Sequence, residues 1–443
     1  MKKSKLPTYL VSGFYPDFSG TDKDLYFRWK GGHTFDMQTI VFLGTNKSGS
    51  SREAIQAATK MGYFTVLLTD SQKRLKQREE YPDVHQMIYV QDLTDKQLIN
   101  KQLALIKKQG KEIDAVVSFV DPLVSIAAEI SMDLSLSSLS VEALYNMEDK
   151  TRFRNILKEN PFNPFYSIAS VEMDSNEIFN RYVKSLPAIV KSPVSNGSKD
   201  VLLVTTFQEF NKACLYMKKR FPNTPILIEE YLDGPQYLVE VVVHQGNVHI
   251  VAIIEQEISK ENRFIIMGYH LPASLPPQTR VDLQTAIQSI ANDLSFTNGT
   301  CHLEMRLVNG EWKLIEINPR ISGGAVNRLI QEATGICLVE ETLKLNLGHV
   351  PDLTPKRNHS SFVQFITVRS PGKLVKVTGK RMAKKMSGVK KVYVKPRKGS
   401  ILTPPLSMGH RYAYVLASSQ DPEKAKKIAK QAAKEIKFYL EPL

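Results

Sequence analysis

Two different periods of apolar residues alternate along this chain, and the points where the period changes divide it. QTIVFLGT (Gln38 to Thr45) is a short apolar run ending at Gly44 and its neighbour, the pattern of a buried strand. NKSGSSREAIQAATKMGY then opens with small polar residues and settles into helical spacing at Ala54, Ala57, Ala58 and Met61. FTVLLTD and IDAVVSFVDP read as two further buried strands. Strand, helix and strand in alternation predict a doubly wound parallel unit over roughly residues 38–140. The turn after Gly44 lacks the G-x-G-x-x-G spacing, so a dinucleotide fingerprint is absent. Residues 1–37, rich in Lys, aromatics, Gly and Asp, follow neither period.

The texture changes at Val141. A helix is predicted from Val141 to Leu157, followed by the turn-like ENPFNPF. AIVKSPVSNGSKDVLLV gives two β runs around a Ser-Asn-Gly-Ser turn, and a helix from Thr206 to Phe221 precedes the strand ILIEEYL. YLVEVVVHQGNVHIVAIIEQEI reads as a hairpin turning at Gln245-Gly246-Asn247. After a helix from Asp282 to Leu294, CHLEMRLVNGEWKLIEINPR is a second hairpin around Asn309-Gly310. Beyond Pro355, VQFITV, LVKVTG, VKKVYVKP and RYAYVLAS are strand-like, and an amphipathic helix runs from Pro422 to Tyr439. Lysines alternate with apolar residues in LVKVTG and VKKVYVKP, which predicts solvated faces of a small sheet. The expected class is α/β, with segments at 1–140, 141–354 and 355–443.

Composition narrows the reading. Of 443 residues, 42% are hydrophobic and 23% charged, enough for several packed units and against disorder. Lys2, Lys3 and Lys5 are followed by no apolar core of a signal peptide, and no run has the length of a membrane span. Cys214, Cys301 and Cys337 have no metal-type spacing and fit buried thiols in a reducing cytoplasm. The net charge of +14 is uneven: from Pro355 onward 21 Lys and Arg face 4 Asp and Glu, a net +17, so the rest sums to −3. Aromatics are not interleaved with these cations as a single-strand binder needs. The tail is therefore read as a solvated surface near a polyanionic nucleotide, with no nucleic-acid or membrane partner.

Candidate chemistry concentrates in the second hairpin. Glu316, Asn318 and Arg320 alternate with Ile315, Ile317 and Pro319, so period 2 puts the polar groups on one face. A three-residue loop (Asn309, Gly310, Glu311) would set Glu304 opposite Glu316 on that face. Carboxylate and carboxamide oxygens are hard ligands that suit Mg²⁺ beside nucleotide phosphates. A surface strand with a Glu–Arg ion pair is the plainer alternative, but the intervening residues are apolar and the flexible SGGA turn follows. Upstream, Lys150 and Lys191 are single lysines in apolar surroundings, able to meet phosphate oxygens as point charges. The Ser195-Asn196-Gly197-Ser198 turn can lay N–H groups on phosphates, or be a plain hairpin. Glu229, Glu230, Tyr231 and Leu232 end a strand whose edge can offer backbone groups to adenine. Asp121, after AVVSFV, can either meet a substrate ammonium or cap the next helix.

The order Lys150, VKSPVSNGS, LIEEYLDGP, then CHLEMRL and KLIEINPRISGG resembles the ATP-grasp superfamily. Its tail, KPRKGSILTPPLSMGHRYAYVLASS with the helix after it, is similar to that of the bacterial L-amino acid ligases. The resemblance implies an ATP-grasp fold with a Rossmann-like pre-grasp domain and a C-terminal α+β domain. It implies a carboxylate–amine ligase that uses ATP and Mg²⁺, with Mn²⁺ as a substitute, to join amino acids through an acyl-phosphate. A small-molecule enzyme of the cytoplasm follows, with a homodimer compatible. Lys150 and Lys191 would bind phosphates; Glu229, Tyr231 and Leu232 would take adenine. Glu304, Glu316 and Asn318 would bind the metal. Arg320, with amides near Gly323 and Gly324, would hold the phosphoryl group or the substrate carboxylate beside Ser322. Two positions depart from the family pattern. Gln236 stands where a ribose-binding Glu is usual, and GYHLP replaces Gly-His-x-x-Pro, leaving Tyr269 in the His position and His270 one along. Glu255 or His270 is the candidate base for the amine. Another carboxylate–amine ligase is the nearest alternative; a biotin-dependent carboxylase lacks its Met-Lys-Met carrier here.

Overall fold

The first apolar runs form the expected parallel unit. In a computed structural model, which describes residues 37–195, 200–259 and 264–443, the unit comprises β1 (Met37–Leu43), α1 (Ser50–Lys60), β2 (Phe64–Thr69), α2 (Gln72–Lys76), β3 (Gln86–Tyr89), α3 (Lys96–Lys108), β4 (Lys111–Val117) and α4 (Val124–Asp133). The sheet order is β3-β2-β1-β4, all parallel. Ile40, Phe42 and Leu67 face α1, while Val41, Leu43, Val66 and Leu68 face α3 and α4. Burial on both faces explains why these strands read as unbroken apolar runs rather than alternating ones. Strand β3, a half-buried edge, carries too few apolar residues to have signalled itself. Asn196, Gly197 and Ser198, like the N-terminal segment through residue 36, lie outside the described residues.

The single helix predicted over 141–157 is two: α5 (Val141–Met147) and α6 (Lys150–Ile156). Asp149 breaks the run because its Oδ1 accepts from the Thr151 and Arg152 N–H groups at 2.8 and 3.1 Å, capping α6. This places Lys150 at the first position of α6. A four-stranded antiparallel layer follows, with β5 (Tyr166–Ala169), α7 (Ser175–Tyr182), β6 (Ala188–Lys191), β7 (Val201–Val204), α8 (Phe207–Arg220) and β8 (Ile226–Glu230), in order β5-β8-β6-β7. Ala188, Val190, Ile226 and Ile228 pack on α7 and α8, so the alternate residues Lys191 and Glu229 point the other way.

The central sheet has the order β13-β12-β9-β10-β11-β14-β18-β16. Its elements, with the helices and short strands between them, are β9 (Gln236–His244), β10 (Asn247–Ser259), β11 (Ile265–Leu271), α9 (Pro277–Asp293), β12 (Gly299–Val308), β13 (Glu311–Asn318), α10 (Val326–Thr334), α11 (Leu338–Asn346), β14 (Ser360–Ile366), β15 (Gly372–Thr378), α12 (Lys380–Lys385), β16 (Val389–Val394), β17 (Ile401–Leu402), β18 (Ala413–Ser419), α13 (Pro422–Glu435) and β19 (Lys437–Glu441). Leu238, Ile254, Leu271 and Val363 face α10 and α11; Val239, Val241 and Leu303 face α9. The predicted separate basic sheet is thus corrected. Strands β14, β18 and β16 extend the central sheet, and only β15 joins a small sheet with β17 and β19. The reason is that β14 and β18 are apolar on both faces: Phe362 and Ala417 meet α13, while Val363 and Leu416 meet the opposite core. The last helix ends at Glu435, where alternating KFYLE continues as a strand, with Phe438 and Leu440 on Leu374 and Leu402. Among the described residues, no helix is long and apolar enough to cross a membrane.

Candidate active site

The Asn309-Gly310 turn has both residues at positive φ, 52° and 88°, which a two-residue hairpin loop requires. The loop is one residue shorter than expected, with Val308 opposite Glu311. A bulge after Leu314 restores the lost residue, so Glu304 still faces Glu316 and His302 faces Asn318. The bulged Ile315 carbonyl accepts from Arg154 Nη2 at 2.6 Å.

Around this pair the predicted groups converge. Glu316 Oε1 lies 3.3 Å from Lys150 Nζ and 3.3 Å from Asn318 Nδ2. Lys150 Nζ also donates to the Ser195 carbonyl at 3.0 Å. Lys191 Nζ is 2.7 Å from Glu229 Oε2, and Gln236 Nε2 is 3.2 Å from Glu304 Oε2. All of these except Asn318, with Glu230, Tyr231 and Leu232, line one cleft of about 780 Å³ including its open mouth. Ile189, Phe264, Ile315 and Met408 supply its apolar walls, enough for a flat aromatic base. A second cavity of about 730 Å³, likewise including its open mouth, shares Lys150 and Glu316 with it and adds Asn318 and Asp121.

The charges are arranged for an anion and a cation together. Burial works against the Glu229 charge, but Arg154 and Lys191 outweigh it and hold its carboxyl below the usual range. Burial, with the Glu316 charge beside it, pushes Glu304 upward, whereas Lys150 and Lys191 keep Glu316 low against its own burial. Two facing carboxylates that cannot both ionise comfortably are a fit for a divalent cation. Among the described residues no group of three or more His, Cys, Asp and Glu gathers for a metal. The set here has two carboxylates, and its third oxygen is the carboxamide of Asn318.

Arg320 and Asp121 meet each other. Arg320 Nε lies 2.9 Å from Asp121 Oδ2, Nη2 bonds the same oxygen, and Asp121 Oδ1 is buried with no partner. The helix-capping alternative for Asp121 fails, since α4 begins at Val124 without a side-chain cap. His302 Nδ1–H donates to the Arg320 carbonyl at 2.7 Å, and burial beside Arg320 pushes this imidazole down to about 4, so it is neutral. Open space surrounds the Cα atoms of Gly323 and Gly324, and a Cβ on Gly49 would sit 3.1 Å from the Gly324 N.

Glu230 lines the cleft with its carboxylate taken by the Phe165 N–H at 2.8 Å, so its backbone is what it has for a base. Two expectations need correction. The Ser322 N–H is not free for substrate, because it donates to both oxygens of buried Glu240 at 3.1 and 3.2 Å. His270 and Glu255 face away from the cleft. They pair across β10 and β11 on the face opposite Leu238 and Ile254, where His270 sits beside Phe362 under α13. Strand alternation gives the cleft face to Tyr269 instead.

Sequence reasoning missed Arg154, Glu240, His302 and Arg306. Glu240, the one charge in the apolar run YLVEVVV, was the signal available for a buried acid. Burial pushes its carboxyl up to about 7, against the Ser322 hydrogen bonds and the Arg320 charge. The native state then keeps this proton to about pH 7, while the unfolded chain loses it near 4.5. Between these values the native state binds more protons, so stability falls as pH rises. Glu240→Gln should abolish that fall, gaining about 3 kcal/mol at pH 8 and less than about 1 kcal/mol at pH 5. Urea titrations at the two pH values check it, and equal gains at both would refute the assignment.

Comparison with known proteins agrees with this fold. An ATP-grasp N-terminal domain matches residues 55–137, an ATP-grasp domain matches 184–328, and an L-amino acid ligase C-terminal domain 2 matches 364–441. The structure of an L-amino acid ligase from Bacillus licheniformis superposes with a TM-score of 0.77 at 22% identity, covering 91% of this chain and 99% of that one, a likeness of fold. An uncharacterized protein of Sinorhizobium fredii (y4rH) is 24% identical over 58% of this chain and 54% of its own length. Dapdiamide A synthase of Enterobacter agglomerans is 26% identical over 34% of this chain and 36% of its own length. The chain thus spans about half or less of the curated relatives it matches. With the three domain models in chain order on an ATP-grasp architecture, the chain belongs to the ATP-grasp superfamily of ligases and carries the C-terminal domain of its L-amino acid ligase group.

Proposed function

We propose that this chain uses ATP to join L-amino acids into dipeptides or short oligopeptides through an aminoacyl-phosphate, releasing ADP and phosphate. One observation supports this most: Lys150, Lys191 and the Glu304–Glu316 pair line adjoining cavities, and Arg320 is held on Asp121 at the wall of the second. ATP and a carboxylate repel each other, and attack on the γ-phosphorus needs cations fixed on both. Lys150 and Lys191 would hold phosphate oxygens, exchanging their present carboxylate partners for them. The open backbone at Gly323 and Gly324 and the Arg320 guanidinium would hold the attacking carboxylate. Glu304, Glu316 and Asn318 would hold Mg²⁺, which when bound neutralises the phosphate oxygens. The acyl-phosphate would then meet the amine in the second cavity, where the unpartnered Asp121 Oδ1 is suited to an ammonium. The relatives' names favour amino acids over nucleic acid as partners.

Chromatography of the spent nucleotide tests the mechanism. ADP with one phosphate per bond formed is expected; AMP and pyrophosphate would refute the acyl-phosphate. Asp121→Asn should raise KM for the amino-terminal amino acid about tenfold and leave KM for ATP within about twofold, since a charged acceptor is lost from one substrate only. Initial-rate measurements decide it. Unchanged KM values with lowered stability would leave Asp121 only as the tether of Arg320.

A further inference from the structure

Arg411 comes from the C-terminal segment, just before β18, yet its guanidinium reaches the cleft face of the central sheet. It lies over the Phe365 ring, 3.8 Å from the centroid, with Nη1 3.5 Å from Tyr269 Oη and Nε 3.3 Å from the Met408 carbonyl. Stacking and these bonds fix the planar group. No carboxylate lies within ion-pair distance of it among the described residues, whereas Lys191 and Arg320 each face one. Lys395 stands nearby, bonded to the Gly409 carbonyl at 3.0 Å and likewise without an acid. Burial first, then the Arg411 charge, lowers the Lys395 ammonium below its usual value, as expected of two cations sharing a site without a counter-ion.

A second, independent feature lies beside them. Gln256 is only 6% exposed, and neither its carboxamide oxygen nor its nitrogen has a partner. It sits opposite Tyr269 in the β10–β11 ladder, on the face it shares with Leu238, Ile254 and the metal-site strand. A buried carboxamide left unpaired is costly and calls for a polar ligand. Met408, whose carbonyl holds Arg411, also walls the nucleotide cleft, so this polar patch adjoins the reaction centre.

We propose that Arg411, Lys395, Tyr269 Oη and Gln256 form an anion subsite that selects an amino-acid substrate with a second, distal carboxylate. The inference rests on the ligase reading and names its substrate class. Tyr269 on β11 is three strands from Glu304 on β12, roughly 14 Å at ordinary strand spacing. That is far for a γ-phosphate held by Lys150 and Lys191, but within the span of an acidic amino acid with its partner. The guanidinium would grip the carboxylate in a fork, and Gln256 would donate to it.

Binding, read apart from turnover, tests this. The full-length protein with MgADP is titrated calorimetrically with glutamate and aspartate, and with their isosteres glutamine and asparagine. The acidic member should bind at least about tenfold tighter, Arg411→Gln should lower that ratio about tenfold, and Arg411→Lys should keep most of it. If Arg411→Gln does not fold, Lys395→Gln, which lies at the surface edge of the patch, is read in the same way. A parent ratio near one overturns the proposal, as does a ratio unmoved in a folded variant. Lost MgADP affinity with an unmoved ratio would assign the cations to nucleotide phosphate and overturn it too. Acid-selective binding that depends on Arg411, without ADP release on adding any amino acid, would uphold the subsite and retire the ligation reading alone.

Discussion

Glu316→Gln should lower ADP-forming turnover about a thousandfold while moving the melting temperature by only a few degrees. The side chain keeps its shape, so the backbone pairing of β13 with β12 is untouched. What is lost is one of two facing carboxylates, and with it the charge that Lys150 faces and that the proposed Mg²⁺ would need. Stability should hardly suffer, because the repulsion that raises Glu304 is relieved at the same time. Lys150 also keeps the Ser195 carbonyl at 3.0 Å as an acceptor. Phosphate release at saturating MgATP, set beside a calorimetric scan, separates the two effects. Turnover above about a tenth of the parent rate would remove Glu316 from the metal site; a large fall in melting temperature would make it structural.

How far the sequence led can be judged at the same hairpin. Alternation in KLIEINPR declared which residues share a face, since strand periodicity is local. The opposition of Glu304 to Glu316 was reached with the wrong loop, because a bulge replaced the residue the tight Asn309-Gly310 turn removed. Bulges leave no compositional trace. The same limit explains His270: GYHLP does not reveal which of Tyr269 and His270 faces the cleft, and register with β10, across a bulge at Met267 of β11, decides it. The parallel unit was legible because both faces of β1, β2 and β4 are buried. The C-terminal strands have the same two-sided apolar character, but their lysines drew attention to charge instead, and long-range pairing of β14 with β11 is invisible locally. Arg154 and Arg306 were missed because an Arg in a helix or strand reads as solvated until the fold buries it.

Arg154 therefore carries the second large prediction. Its side chain is wholly buried, and its three nitrogens reach three elements. Nε lies 2.7 Å from Glu229 on β8, Nη1 2.7 Å from Asn163 Oδ1, and Nη2 2.6 Å from the Ile315 carbonyl on β13. One guanidinium thus ties α6, the four-stranded layer and the bulge beside the Glu304–Glu316 pair. Arg154→Met preserves volume but strands two acceptors and leaves Glu229 with Lys191 as its sole cation. Breaking a buried pair from one side costs about 3–5 kcal/mol, and the urea midpoint should fall accordingly. Glu229 should also bind Lys191 more firmly, weakening its hold on phosphate, so KM for ATP should rise even in the folded fraction. Arg154→Lys restores charge without the three-way fork and should recover only part of the loss. Pairing Arg154→Met with Glu229→Gln should recover more, because the uncompensated carboxylate is then gone. If Arg154→Met alone costs less than about 1 kcal/mol, the guanidinium is not what joins these elements, and the bulge must hold its position through the β12–β13 ladder alone.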